Sequence, residues 1–144
     1  MWVLVAVLVA ATAFGVYRRL TDGRIRGVDP VADTADRPVD RARLVTAQDI
    51  GEPLGERATL VQFSTAFCQP CRPTRRLLAE VAGMVDGVRH VDVDAESHLD
   101  LVRRLQVVRT PTVLVLDEAG NVVRRATGVP RRADVIAALG EAIP

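Results

Sequence analysis

A chain of 144 residues with 49% apolar side chains, 19 basic and 18 acidic groups and a formal net charge of +1 is about one domain long and has ample material for one core. Near-cancelled charge, with no basic stripe interleaved with aromatics, excludes a nucleic-acid surface. The 2 cysteines, separated by two residues, exclude a disulfide-rich secreted scaffold, since so short a loop constrains the unfolded chain little.

In chain order, the first element is "MWVLVAVLVAATAFGVY", an uncharged apolar run from Met1 to Tyr17 followed at once by Arg18 and Arg19. As a helix reaching Leu20 it is about 30 Å long, the thickness of a bilayer's hydrocarbon core. A run apolar on every face suits lipid better than the core of a small domain. Ala11-Thr12-Ala13 offers a small-x-small cleavage site, but no positive charge precedes the run, so residues 1–20 are expected to be an uncleaved transmembrane anchor. Arg18, Arg19, Arg24 and Arg26 cluster on the C-terminal flank. The positive-inside tendency then predicts a single-pass cell membrane protein, N-terminus out, with the rest of the chain facing the cytoplasm. Trp2 fits an interfacial aromatic belt.

Residues 21–41, "TDGRIRGVDPVADTADRPVDR", mix charge with Gly, Pro and small polar residues without an apolar period and read as a flexible linker. A folded domain is expected over 42–144. "RARLVT" is a short strand candidate, and "ATLVQFST" (Ala58 to Thr65) has the apolar, β-branched character of a buried strand. "CQPCRPTRRLLAEVAGMV" follows as a helix, with Leu77, Leu78, Val81 and Met84 or Val85 at helical spacing. "VRHVDVD" (Val88 to Asp94) is a strand, and Ser97 is expected to cap a helix running to about Leu105. Two runs, Thr112 to Leu116 and Asn121 to Thr127, flank the turn "DEAGN" as an antiparallel hairpin. "PRRADVIAALGEAI" closes the chain as an amphipathic helix with Val135, Ile136, Leu139 and Ile143 on one face. The order implies an α/β fold, a mixed central sheet with helices on both faces.

The chemistry concentrates in "FCQPC", Phe67 to Cys71. Cysteines at i and i+3 on a first helical turn lie on one face, at a Cα separation a disulfide accepts. Cys68, at the helix N-terminus, has its thiolate favoured by unpaired N–H groups and the dipole, which makes it the nucleophile. Cys71, one turn inside, is placed to attack a mixed disulfide and so is the resolving thiol. Pro70 suits the first turn, where its missing N–H has no intrahelical partner. Arg72, Arg75 and Arg76 add positive charge nearby. Thr110-Pro111-Thr112 sets a proline directly before a strand that faces the CxxC helix. A cis bond there would expose Thr110 backbone groups to an extended substrate.

Strand, CxxC helix, "TPT", hairpin and Gly128 in this order resemble the thioredoxin family over roughly Ala42 to Pro144. The resemblance implies a thioredoxin-like fold, Pro111 as the family's cis-proline, and thiol:disulfide exchange without a cofactor beyond a redox-active Cys68-Cys71 disulfide. Phe67, Gln69, Pro70, Thr110 and Pro111 would then form the substrate surface. Partners would be protein disulfides or dithiols and an upstream protein thiol donor. The chain departs from the family in Phe67 for the usual Trp, in Gln69 for a Gly, and in Gln62 where thioredoxins keep a buried Asp. It also lacks the insert found in membrane-anchored cytochrome-maturation relatives.

Other readings of the pair are two buried structural thiols or half of a metal site. Neither His90 nor His98 stands at a recognisable ligand spacing, so no metal is expected. His90, within "VRHVDVD", reads as an ordinary strand residue. The expected activity is reduction of protein disulfides by a membrane-tethered oxidoreductase. The alternatives are an extracytoplasmic oxidant, isomerase or cytochrome-maturation thiol enzyme, a non-turnover peptide-binding module, and a metallochaperone.

Overall fold

The computed structural model describes residues 1–21, 26–27 and 43–144. Helix α1 (Trp2–Thr21) covers the expected anchor. Its stretch Trp2–Leu20, 19 residues with a mean hydropathy of 1.7, is long and apolar enough to cross a membrane, and none of it is buried. Most of the expected linker lies outside the described residues. Its described pieces are Thr21, the last residue of α1, and β1 (Arg26–Gly27), which departs from the linker reading by pairing antiparallel with Arg125 and Arg124.

The remaining elements are α2 (Ala47–Ile50), β2 (Ala58–Ser64), α3 (Cys71–Gly83), β3 (Val88–Asp94), α4 (Leu99–Arg104), β4 (Thr112–Asp117), β5 (Val122–Thr127) and α5 (Arg132–Ala142). The sheet order is β1-β5-β4-β2-β3. β2 pairs parallel with β3 and antiparallel with β4, and β4 pairs antiparallel with β5, so the sheet is mixed as expected. Every residue of β2 is buried, which explains its largely apolar make-up: both faces are covered.

Alternation along the strands divides the core in two. Val61, Phe63, Val91, Val93, Leu114 and Leu116 pack with Ile50 of α2, Leu101 of α4 and its C-cap Leu105 on one face. Ala58, Leu60, Val113, Val115 and Ala126 pack with Leu78 and Val81 of α3 and with Val135 and Leu139 of α5 on the other. Helices thus cover both faces.

Three local expectations need correction. "RARLVT" makes no strand: Leu44 forms a single antiparallel bridge with Asn121, and Ala42 lies outside the described residues. The run stops because Thr46 starts α2 with a capping box, its hydroxyl taking the Asp49 N–H while the Asp49 carboxylate takes its own N–H. Val45 instead drops into the core and donates to the Gly120 carbonyl at 2.9 Å. Gly120 permits that approach, since a Cβ there would lie 2.2 Å from the Val45 carbonyl oxygen.

Ser97 does not cap α4. His98 holds the cap position with no side-chain cap, and the Ser97 hydroxyl donates to Asp94 at 2.5 Å, a local competition typical of serine. On α5 the buried residues are Val135, Ala138, Leu139 and Ala142, whereas Ile136 is exposed. Positions 135, 138, 139 and 142 follow the helical period, and Ile136, about 100° round the axis from Val135, falls off that stripe. On α3, Leu78 and Val81 are buried as expected, and of the two residues offered for the next position Val85 is half-buried while Met84, at the C-cap, is exposed.

Candidate functional site

Cys68 and Cys71 form a disulfide with Cα atoms 5.3 Å apart. The pair does not share a first helical turn, as the sequence implies. Cys71 is the first residue of α3 and Pro70, with φ −71°, holds the N-cap position, while Cys68 lies in the turn before it. Two tight turns make this entry: the Cys68 amide donates to Thr65 at 3.2 Å and the Cys71 amide to Cys68 at 3.3 Å. The ring of Pro70 has no N–H to leave unpaired, and its carbonyl accepts the Thr74 hydroxyl at 2.9 Å. One tight turn thus leaves Cys68 half-buried and Cys71 only 2% exposed. This asymmetry is what a nucleophile and a resolving thiol require.

The Thr110-Pro111 peptide is cis. Pro111 is buried and Thr110 half-buried. The loop is tied at both ends: Gly128 donates to the Pro111 carbonyl at 2.8 Å and the Thr112 hydroxyl donates to Arg109 at 2.6 Å. Thr65 and Thr110 approach through their hydroxyls at 3.4 Å, joining this loop to the turn before Cys68. Phe67 is 94% exposed and Val108 87%, and Gln69 and Pro70 are exposed as well. Apolar area left in water beside a reactive disulfide marks a surface for another protein.

Beneath the disulfide, Gln62 is fully buried and its Nε2 donates to the Cys71 carbonyl at 3.0 Å. Asp92 on β3 accepts from the Ser64 hydroxyl at 2.6 Å and from Arg75 Nε at 2.6 Å. Arg75 of the expected arginine cluster is therefore paired with Asp92. His90 sits on the same strand with its Nε2 enclosed. Burial holds its imidazole below the ordinary pKa, with Asp92 and Glu52 pulling up and Arg75 pushing down. The sequence presents His90 as an ordinary strand residue, although alternation along β3 puts residues 90 and 92 on one face. Among the described residues, no group of three or more His, Cys, Asp or Glu side chains could hold a metal ion.

A family model described as Thioredoxin matches residues 46–141. The chain is 30% identical over 90 residues to a thioredoxin of Mycolicibacterium smegmatis, covering 60% of this chain and 80% of that protein. It is 28% identical over 89 residues to a thioredoxin of Mycobacterium tuberculosis, covering 61% and 76%. A bifunctional thioredoxin reductase/thioredoxin of Mycobacterium leprae is 27% identical over 89 residues, of which this chain spans only 19% of the length. Among solved structures, chloroplastic thioredoxin z is similar with a TM-score of 0.54 and 27% identity over 60% of this chain and 79% of that one. A thioredoxin mutant from Halobacterium salinarum, at 16% identity and TM-score 0.56 over 62% and 77%, shares the fold.

Proposed function

Because the chain belongs to the thioredoxin family and is a thiol:disulfide oxidoreductase, we propose that it reduces protein disulfides at a membrane surface, with Cys68 attacking and Cys71 resolving. The observation that carries this reading is the unequal exposure of the pair. Cys68 is open to a partner beside Phe67 and the Pro111 loop, and Cys71 is closed off one turn away.

In the reducing half-reaction the Cys68 thiolate attacks one sulfur of the substrate disulfide, forming a mixed disulfide and releasing the first substrate thiolate. The Cys71 sulfur then attacks Cys68, re-forms the Cys68-Cys71 bond and releases the second substrate thiolate. Two electrons pass from the dithiol to the substrate, and an upstream protein thiol donor returns them. Phe67, Gln69, Pro70, Thr110 and Pro111 form the docking surface, with the Thr110 backbone available to an extended substrate segment. No cofactor takes part.

Residues 1–20 anchor the chain, the segment 21–41, whose β1 joins the domain's sheet, connects the anchor to the domain, and residues 42–144 act on the cytoplasmic side, where a reducing poise favours a reductase. The flank Arg18, Arg19, Arg24 and Arg26 supports that orientation. The deciding experiment uses the full chain in detergent micelles. Turnover of a protein disulfide should be abolished by Cys68→Ser, and a reduction potential near about −270 mV should place the pair with reductants. A potential above roughly −180 mV would instead identify an oxidant or isomerase. Labelling of the reduced cysteines in intact cells by a membrane-impermeant thiol reagent would reverse the orientation.

A further inference from the structure

Gln62 pairs with Asp92 across the parallel β2-β3 ladder, and Leu60 pairs with His90. Alternation puts Gln62 and His90 on one sheet face, the face that α3 covers through Leu78 and Val81. They stand diagonally, with Cβ atoms about 8 Å apart from the strand spacing and rise.

Each contributes one enclosed polar atom without a hydrogen-bond partner, Oε1 of Gln62 and Nε2 of His90. The Gln62 amide is held by its bond to the Cys71 carbonyl, so its free oxygen lies at the root of the resolving cysteine. Asp92, the carboxylate beside them, is already taken by Ser64 and Arg75. His90 is therefore the titratable group left on this face with an open site. A water that donates to both Oε1 and Nε2 satisfies both atoms and keeps its lone pair for the Cys71 thiol. Three bonds is the usual number for a buried water.

We propose that Gln62 and His90 form a proton relay beneath the resolving thiol, in which a buried water held by both takes the Cys71 proton and passes it to the imidazole. The relay rests on the dithiol-exchange reading above and names the groups that move its proton. In the resolving step the Cys71 S–H bond breaks toward the water while the water gives a proton to His90 Nε2. The Cys71 sulfur pair attacks Cys68, the Cys68-Cys71 bond forms, and the bond from Cys68 to the substrate sulfur breaks. The substrate leaves as a thiolate that takes a proton from solvent, and the imidazolium later returns its own proton to solvent. Gln62 cannot titrate, so it positions the water, and His90 supplies the base. Burial keeps that imidazole neutral and ready to accept, while Asp92 from its own strand, Arg75 from α3 and Glu52 from the loop after α2 are the charged groups that act on it.

The test is stopped-flow reaction of the reduced full chain, in micelles, with dithiobis-nitrobenzoate. Attack by Cys68 releases one thionitrobenzoate and resolution by Cys71 releases the second. In the wild type the second phase should slow as pH falls through the His90 titration. His90→Gln should slow that phase on the order of 10²-fold and remove its acid limb, leaving the first phase unchanged. Gln62→Glu, which installs a carboxylate beside the thiol, should bring a new acid limb with a different midpoint. A second phase with unchanged rate and pH profile in His90→Gln overturns the relay. NMR titration of His90 in the unmodified protein gives an independent reading: its midpoint should differ between the oxidised and reduced forms, and an identical midpoint also overturns the relay. Lack of turnover on protein disulfides would sink the functional reading instead, while both phases of thionitrobenzoate release stayed measurable.

Discussion

The Gly128 amide donates to the Pro111 carbonyl at 2.8 Å, with Gly128 at φ +89°. One backbone bond thus fixes the cis-proline loop to the residue just beyond β5, and only glycine adopts that conformation freely. Gly128→Ala should destabilise the fold by about 1–2 kcal/mol. It should also lower turnover on protein disulfides more than turnover on a small aromatic disulfide, because the Pro111 loop serves docking rather than sulfur chemistry. Urea titration and the two assays in parallel check this, and equal losses on both substrates would place the effect elsewhere.

Cys71→Ser removes the resolving thiol but leaves Cys68 half-exposed at the turn before α3. The variant should accumulate a covalent mixed disulfide with protein substrates, visible by non-reducing electrophoresis. Cys68→Ser should accumulate none. Trapping by the Cys68→Ser chain instead would exchange the two roles.

Phe67, at 94% exposure, contributes little to the core, so Phe67→Ser should shift stability by no more than about 0.5 kcal/mol. Its apolar ring lies beside the disulfide, and its loss should raise KM for protein disulfides several-fold with kcat little changed. A fall in kcat at constant KM would assign the ring to the chemistry.

Leu78 is fully buried between α3 and the sheet. Leu78→Ala should cost about 2–5 kcal/mol through lost transfer energy and a residual cavity. The CxxC segment is seated by this contact, so amide exchange of α3 should accelerate more than that of β4. Uniform acceleration across the domain would indicate global unfolding alone.

The capping box gives a pH-dependent prediction. Burial works against the Asp49 charge, but bonds from Thr46 and the Arg104 guanidinium, 2.6 Å away, hold the carboxyl below its ordinary value. A depressed folded pKa stabilises the protein above the unfolded value of about 3.9 and loses that contribution as pH falls through the folded value. Asp49→Asn should therefore melt lower than wild type at pH 7, and the gap should close in acid below about pH 4. Thr46→Ala should cost about 1 kcal/mol, typical of a lost cap. A gap for Asp49→Asn that persists unchanged into acid would show that the carboxylate's charge is not what stabilises α2.

The sequence alone was sufficient for the long elements and for the chemistry. β2, β3 and the hairpin announce themselves because a buried strand must be apolar wherever a face is covered, and CxxC after such a strand leaves few chemical options. Residues 2–20 declare themselves by length and hydropathy for the same local reason. Short-range competition was not legible. Whether Ser97 caps α4 or bonds Asp94, whether "RARLVT" pairs or yields to the Thr46 cap, and where α3 starts relative to Cys68 turn on single hydrogen bonds worth about 1 kcal/mol each. Only tertiary structure could bring together residues distant in the chain: Gly128 onto Pro111, Thr65 onto Thr110, and Gln62, bonded to the Cys71 carbonyl, onto one sheet face with His90. Periodicity tells which way a side chain points along its own element, but its neighbour is chosen by strand order and register, which the whole sheet sets at once.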